Sequence, residues 1–172
     1  MTADNRDADV LESIEVETGA SPTRAVIWLH GLGADSSDFL PIVDELDLDG
    51  LPPIRFVFPN APMMAVTING GYVMRAWYDV LSADFSSRRE DPDGVRASAA
   101  ELEKLIAREN ARGIDNGRIV LAGFSQGGAI ALIVPLCQTN GRPTGLLMPL
   151  SKTCPTPTTV DPFPFTALTT LQ

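Results

Sequence analysis

Histidine, cysteine and long apolar runs are scarce in this sequence. Cys137 and Cys154 are its only cysteines, and neither has a histidine or second cysteine at ligand spacing. They make neither a disulfide framework nor a zinc site, so we predict ordinary small apolar residues at both positions, with no metal and no cofactor. The segment Met1 to Glu17 lacks the apolar stretch of a signal peptide, and no run has the length of a membrane span. We expect a soluble cytoplasmic protein without membrane insertion.

Basic residues are also few. The sequence has 13 Lys and Arg against 22 Asp and Glu, a net charge of -9 and a pI near 4.5. Nucleic acids and anionic membrane surfaces bind concentrated positive charge, so both are expected to be poor partners, and we predict no nucleic-acid binding. A chain of 172 residues is long enough for one packed domain.

The organisation of the chain changes near Ile133. We divide the single domain, 1–172, into an N-terminal segment (1–20), a core (21–132) and a tail (133–172). The tail has three charged residues, half of the 14 prolines and a repeated Thr and Pro pattern. Its only short apolar run is Gly145 to Leu150. This composition predicts an extended or poorly ordered tail.

The core alternates strand and helix patterns. Short β-branched and aromatic runs bounded by turn residues predict three buried parallel strands: Ala25 to Leu29, Ile54 to Phe58 and Ile119 to Ala122. A helix is expected between the second and third, with Asp91 as its N-cap, Pro92 as its first residue and Gly113 at its end. Its apolar stripe is Val95, Ala99, Leu102 and Ile106. Alternation of this kind predicts a three-layer α/β domain with a mainly parallel sheet.

A G-x-S-x-G motif, Gly123 to Gly127, follows the third predicted strand directly and precedes the apolar run Ala129 to Val134. In a strand, turn and helix context this motif places its serine on a sharp turn, and the glycines avoid clashes there. The motif makes Ser125 the candidate nucleophile. The plain alternative is a glycine-rich turn with a capping serine.

A second motif, His30 to Gly33, follows the first predicted strand. In hydrolases of this architecture the matching loop donates one backbone N–H to the oxyanion hole, and the residue after the nucleophile donates the other. Leu32 and Gln126 are therefore the candidate donors. His30 stands at a strand end, which favours a buried histidine bonded to local backbone over a catalytic base.

The stretch from Val26 to Gln126 resembles the bacterial carboxylesterase group related to acyl-protein thioesterases and lysophospholipases. The matching segments are Trp28 to Asp35, Phe56 to Pro62, Val66 to Gly71, Met74 to Asp79 and Gly123 to Gly128. The resemblance implies an α/β-hydrolase fold with Ser125 as nucleophile and Leu32 and Gln126 as oxyanion donors. It also places Trp77 near the acyl pocket, against the alternative of a core aromatic.

The sequence departs from that family after Ser125. Family members place an Asp and then a His after the nucleophile, whereas the one histidine here is His30. A serine hydroxyl is a poor nucleophile until a base takes its proton. Asp161, followed by Pro162, is a weak candidate for the acid, because it follows Ser125 too closely and has no histidine to orient. We interpret the tail as a truncated or aberrant C-terminus, and we expect the family's last strands and helix to be missing.

Three functions remain open. The first is a carboxylic-ester hydrolase that acts on short acyl esters, its small-molecule partners, through an acyl-enzyme on Ser125. The second is an incomplete, non-catalytic hydrolase-fold protein that binds acyl ligands. The third is an acyl-protein thioesterase or lysophospholipase. A sheet that lacks its last strands exposes an edge, which predicts a homodimer or higher association.

Overall fold

A computed structural model describes residues 10–82, 91–137 and 144–145. Its strands are β1 (Ser13–Glu17), β2 (Arg24–Leu29), β3 (Ile54–Pro59), β4 (Met63–Val66), β5 (Tyr72–Arg75), β6 (Ile119–Gly123) and β7 (Thr144–Gly145). Its helices are α1 (Ile42–Glu45), α2 (Pro92–Ala111) and α3 (Gln126–Cys137). The three predicted strands correspond to β2, β3 and β6, and each is one residue longer than predicted.

The main sheet has five strands in the order β1-β3-β2-β6-β7. Strands β3, β2, β6 and β7 are parallel, and β1 joins the edge beside β3 in the antiparallel direction. In the centre of the sheet, Val26 lies opposite Phe56 on one side and Val120 on the other. The parallel sheet predicted from the sequence is confirmed, and the carboxyl ends of β2 and β6 share one edge, where ligands bind in such folds.

Alternate residues of the strands supply two apolar layers, one on each face of the sheet. On one face, Ile27 and Leu29 pack with Leu105 of α2 and Ile130 of α3 in a cluster that excludes water. On the other face, Phe56 and Phe58 pack with Trp28 and with the segment 39–48, which contains α1. Burying a side chain of this size stabilises the fold by roughly 1.5 to 3 kcal/mol. The three-layer architecture is confirmed.

Helix α2 begins and ends where the sequence predicts. The Asp91 carboxylate accepts a hydrogen bond from the Gly94 N–H at 2.9 Å, which satisfies one of the free N–H groups of the first turn. Leu102 and Ile106 are buried, and the remaining stripe residues pack partly against the core. Beyond the last helical residue, Gly113 takes a φ of 90°, a conformation that favours glycine.

Sequence reasoning missed β1 and the hairpin of β4 and β5. Polar and apolar residues alternate in β1, a pattern that could have predicted a short edge strand. In the hairpin, Met64 lies opposite Met74 in a separate two-stranded sheet. No helix within the described ranges combines the length and apolarity of a membrane span.

Several predictions concern residues outside the described ranges. Cys154, Asp161 and most of the tail lie there, and of the apolar run Gly145 to Leu150 only the first residue is described. The division of the domain into three segments and the association of two copies stay predictions.

A buried carboxylate fixes the end of α2 to the sheet edge. Glu109 is fully buried, and its oxygens lie 2.8 Å from the Arg55 guanidinium of β3 and 3.1 Å from Arg112. Arg55 also binds Glu17 of β1 at 2.9 Å. Burial makes the Glu109 charge dependent on these partners, because an unpaired charge there would lose its solvation without compensation.

We expect Glu109→Ala to lower the free energy of unfolding by about 3 kcal/mol, because it leaves the Arg55 charge partly buried and poorly paired. Arg96→Ala is the matched control on the same helix: its pair with Asp93 is exposed, so the expected loss is below about 0.5 kcal/mol. Urea unfolding followed by circular dichroism measures both. Equal losses in the two variants would contradict the assigned role of Glu109.

Candidate active site

Ser125 occupies the sharp turn between β6 and α3. Its φ is 51°, in the left-handed region that a residue with a Cβ rarely adopts, and it is one of two such non-glycine residues in the described ranges. Holding a serine there costs on the order of 1 kcal/mol, so the surrounding structure must enforce it. The residue is exposed, and its side chain stands at the carboxyl edge of the sheet.

The two glycines of the motif are required by close backbone approach. A Cβ on Gly123 would lie 2.6 Å from the Gly127 carbonyl carbon. A Cβ on Gly127 would lie 2.5 Å from the Leu29 carbonyl oxygen and would also overlap the His30 carbonyl oxygen. Real side chains do not tolerate such distances. The first turn of α3 therefore packs directly on the end of β2, and this packing sets the serine turn.

The loop after β2 lies against the same turn. A Cβ on Gly31 would be 3.6 Å from the Ser125 Cβ and 3.1 Å from the Phe124 ring. Within the described residues, neither the Leu32 N–H nor the Gln126 N–H donates to a protein acceptor. Two unpaired N–H groups, one from this loop and one from the first residue of α3, are what an oxyanion hole requires, and the positive end of the helix adds to them.

His30 is a buried residue bonded to local backbone, as predicted. It is 1% exposed, and its Nε2 accepts the Ala61 N–H at 3.0 Å. Because Nε2 is the acceptor, Nδ1 carries the proton and donates it to the Gly31 carbonyl at 2.7 Å. Burial lowers the pKa of the imidazole below its ordinary value of 6.5, so the ring stays neutral. With both ring nitrogens engaged, His30 has no free site to take a proton from Ser125.

The Ser125 hydroxyl has no hydrogen-bond partner among the residues the structure describes. No acid and histidine pair is therefore in place beside the nucleophile within these ranges. The position has the geometry of a nucleophile elbow, and two unpaired N–H groups belong to the segments beside it. The group that would remove the hydroxyl proton is not among the described residues.

The sequence matches the phospholipase/carboxylesterase family over residues 11–170. The chain belongs to that family. The match extends beyond the stretch 26–126 on which the sequence resemblance rests, and it includes most of the tail.

Individual known proteins are similar over most of this chain. Acyl-protein thioesterase 1 of Mycosarcoma maydis is 40% identical over 151 residues, which are 83% of this chain and 62% of that protein. Among solved structures, SOBER1 of Arabidopsis thaliana is 31% identical with a TM-score of 0.66, covering 71% of this chain and 59% of that one. Zea mays acyl-protein thioesterase 2 is 29% identical with a TM-score of 0.63, covering 79% and 62%. The chain spans about three fifths of the length of these relatives.

Trp77, expected near an acyl pocket, is 1% exposed. Its indole N–H donates to the His30 carbonyl at 2.8 Å. It borders a cavity of about 350 Å³, whose lining includes Val10, Pro62 and Met64 but not Ser125. A contact between Trp77 and an acyl group stays a prediction.

The sequence analysis did not identify the polar side chains that hold the segments around the site. Asn60 accepts the Ser36 N–H at 2.9 Å and so fixes the segment that follows the loop after β2. Asp79 accepts both the N–H and the hydroxyl of Thr67, at 2.7 and 2.5 Å, and these bonds lower the pKa of its carboxyl. Asn60, Thr67 and Asp79 stand in stretches of family resemblance, which is the signal that could have identified them.

We expect Gly127→Ala to lower the free energy of unfolding by at least about 2 kcal/mol, because its Cβ has no space against β2. Gly117→Ala is the matched control, since nothing lies within 4 Å of its Cβ, and the expected change is within about 0.5 kcal/mol. Thermal unfolding measures both. A Gly127→Ala protein as stable as the Gly117→Ala control would show that the close packing of α3 on β2 is wrong.

The burial of neutral His30 predicts a pH dependence of stability. The unfolded imidazole takes up a proton near pH 6.5, whereas the folded one does so only at lower pH. The unfolded state therefore binds more protons between these two pKa values, and stability is lost as the pH falls below about 6.5. His30→Gln keeps an acceptor for the Ala61 N–H but does not titrate. Urea unfolding from pH 7.5 to 5.0 should show the wild type losing stability relative to this variant, and a constant difference would contradict the assignment.

Proposed function

We propose that this chain cleaves acyl esters through an acyl-enzyme on Ser125. In this reaction the Ser125 oxygen attacks the acyl carbonyl and the Leu32 and Gln126 N–H groups bind the resulting oxyanion. The alcohol leaves with a proton, and water then attacks the acyl-serine to release the acid and restore the hydroxyl. The observation that carries the proposal is the exposed Ser125 at a φ of 51°, with two unpaired N–H groups in the segments that meet there.

The acyl group is proposed to be short. Ser125 does not line the 350 Å³ cavity, and its neighbour Phe124 is 52% exposed, so the nucleophile stands in an open site with an apolar side chain beside it. A short chain needs little enclosure and can pack against that ring. Relatives named acyl-protein thioesterases favour thioesters of acylated proteins as the other substrate class.

Removal of the proton from the Ser125 hydroxyl is the step that limits the rate. The one histidine of these 172 residues is His30, and its ring nitrogens are both engaged. Loss of the histidine from a serine triad costs on the order of 10⁶ in turnover and leaves roughly 10³ over water from the oxyanion hole and binding. We therefore propose slow acylation by this chain alone. The same observation favours a second candidate function, a protein that binds acyl ligands without turnover.

The test is labelling by a fluorophosphonate probe together with hydrolysis of p-nitrophenyl butyrate. We expect slow labelling of the wild type over hours, at a stoichiometry of about one per chain, because phosphonylation uses the same oxyanion hole. Ser125→Ala should not label. His30→Gln, with its fold verified by circular dichroism, should still label at Ser125, since it keeps an acceptor for the Ala61 N–H and His30 is not the base. Mass spectrometry of the Ser125 peptide locates the adduct.

Each other result overturns a specific part of the proposal. Equal labelling of Ser125→Ala would remove Ser125 as nucleophile. Loss of labelling in folded His30→Gln, with exchange of the Gly33 backbone amide unchanged, would make His30 the base. A wild type that never labels but binds butyrate would establish the non-catalytic candidate. Faster cleavage of butyrylthiocholine or of lysophosphatidylcholine than of p-nitrophenyl butyrate would move the substrate class to thioesters or lysophospholipids.

Two earlier expectations accompany this proposal. Association of two copies stays a prediction, and sedimentation of a stable monomer at high micromolar concentration would contradict it. The cytoplasmic location also stays a prediction.

A further inference from the structure

The side chain of Gln126 bonds to backbone that is far away in the sequence. It is 5% exposed, its Oε1 accepts the Trp77 N–H at 2.8 Å, and its Nε2 donates to the Tyr78 carbonyl at 2.6 Å. A carboxamide is suited to this pair of contacts, because it offers one acceptor and one donor side by side. The two partners also fix the orientation of the amide, since an N–H must face the oxygen. The first residue of α3 is thereby tied to the segment after β5.

The hydrogen bonds continue from Trp77 to the other side of the site. The Trp77 indole N–H donates to the His30 carbonyl, directly before the oxyanion loop, at 2.8 Å. The His30 and Trp77 rings are also in contact, with centroids 5.3 Å apart. That loop is held a second time by the Gly33 N–H, which donates to Arg75 of β5 at 2.9 Å. The residues 75–78 therefore connect the loop that carries Leu32 to the helix that begins with Gln126.

We propose that the Gln126 side chain is a positioning residue that fixes the two halves of the oxyanion hole relative to each other. This inference rests on the proposed function, because it assigns a task to groups around the same oxyanion. Both donors must lie 2.7 to 3.1 Å from one oxygen, yet they come from separate segments. A displacement of about 1 Å between them would cost up to about 10²-fold in rate. The contacts from Gln126 through Trp77 to His30 set that separation.

A purely structural role would be a buried side chain that fills space and satisfies polar groups. That role predicts a loss of stability spread over the whole domain. The positioning role instead predicts a local change at two amides, those of Trp77 and Gly33, and a loss of reactivity at Ser125. Amide hydrogen exchange separates the two roles, because local opening and global unfolding affect different sets of amides.

The experiment compares Gln126→Met with the wild type and with two controls. Gln126→Met keeps length and apolar volume and removes both hydrogen bonds. Gln126→Glu keeps an acceptor for the Trp77 N–H and removes the donor to Tyr78. Ile130→Val removes a buried methyl group from the same helix without touching the hydrogen bonds. Hydrogen exchange of the backbone amides is measured by NMR at Trp77 and Gly33. The backbone amide of Ile27 in β2 is the internal reference.

In Gln126→Met, exchange at Trp77 should accelerate at least roughly tenfold relative to Ile27, because the amide loses its buried acceptor. Gly33 should accelerate with it. Labelling of Ser125 by the fluorophosphonate probe should slow by about tenfold or more. Gln126→Glu should retain protection at Trp77 and label at an intermediate rate. Ile130→Val should change all three amides by the same factor and label within about twofold of the wild type.

Unchanged protection at Gly33 in Gln126→Met would overturn the coupling between the two halves, and unchanged labelling would overturn the positioning role. A wild type that does not label would be a failure of the proposed function alone, since the exchange at Trp77 and Gly33 would still decide whether Gln126 couples the two segments.

Discussion

The site depends on the approach of Gly127 to the carbonyl oxygens that end β2. Parallel pairing of β2 with β6, which sets Leu29 opposite Gly123, brings the two strand ends to one edge of the sheet. The first turn of α3 can then pack on β2 only where no Cβ intervenes. That packing holds Ser125 at its positive φ and brings the loop of Leu32 beside it. A single steric constraint thus brings together Ser125 and the two segments that carry the proposed oxyanion donors.

The features of the site that could be predicted from the sequence are those with a local sequence signal. The spacing of Gly123, Ser125 and Gly127 is a local signal, and so are the cap at Asp91 and the β-branched runs of β2, β3 and β6. The contacts of Gln126 with Trp77 and Tyr78 join residues almost fifty positions apart, and no local pattern reports them. The edge strand β1 was missed because its alternation is short and mostly exposed.

His30 shows how local hydrogen bonding decides the role of a titratable group. Whether a histidine can act as a base or serves as a structural residue depends on what its two ring nitrogens contact. Here the Ala61 N–H and the Gly31 carbonyl occupy both, and burial favours the neutral ring. The imidazole then ties the loop after β2 to the segment that follows β3, which is consistent with the proposal of a site that is slow to deprotonate Ser125.

The most direct measurement of the central claim is a crystal structure of the chain after phosphonylation of Ser125. The account predicts one phosphoryl oxygen within about 2.7 to 3.1 Å of both the Leu32 and the Gln126 nitrogen, with the Gln126 carboxamide still bound to Trp77 and Tyr78. A phosphoryl oxygen bonded to neither N–H, or an adduct on a residue other than Ser125, would contradict it.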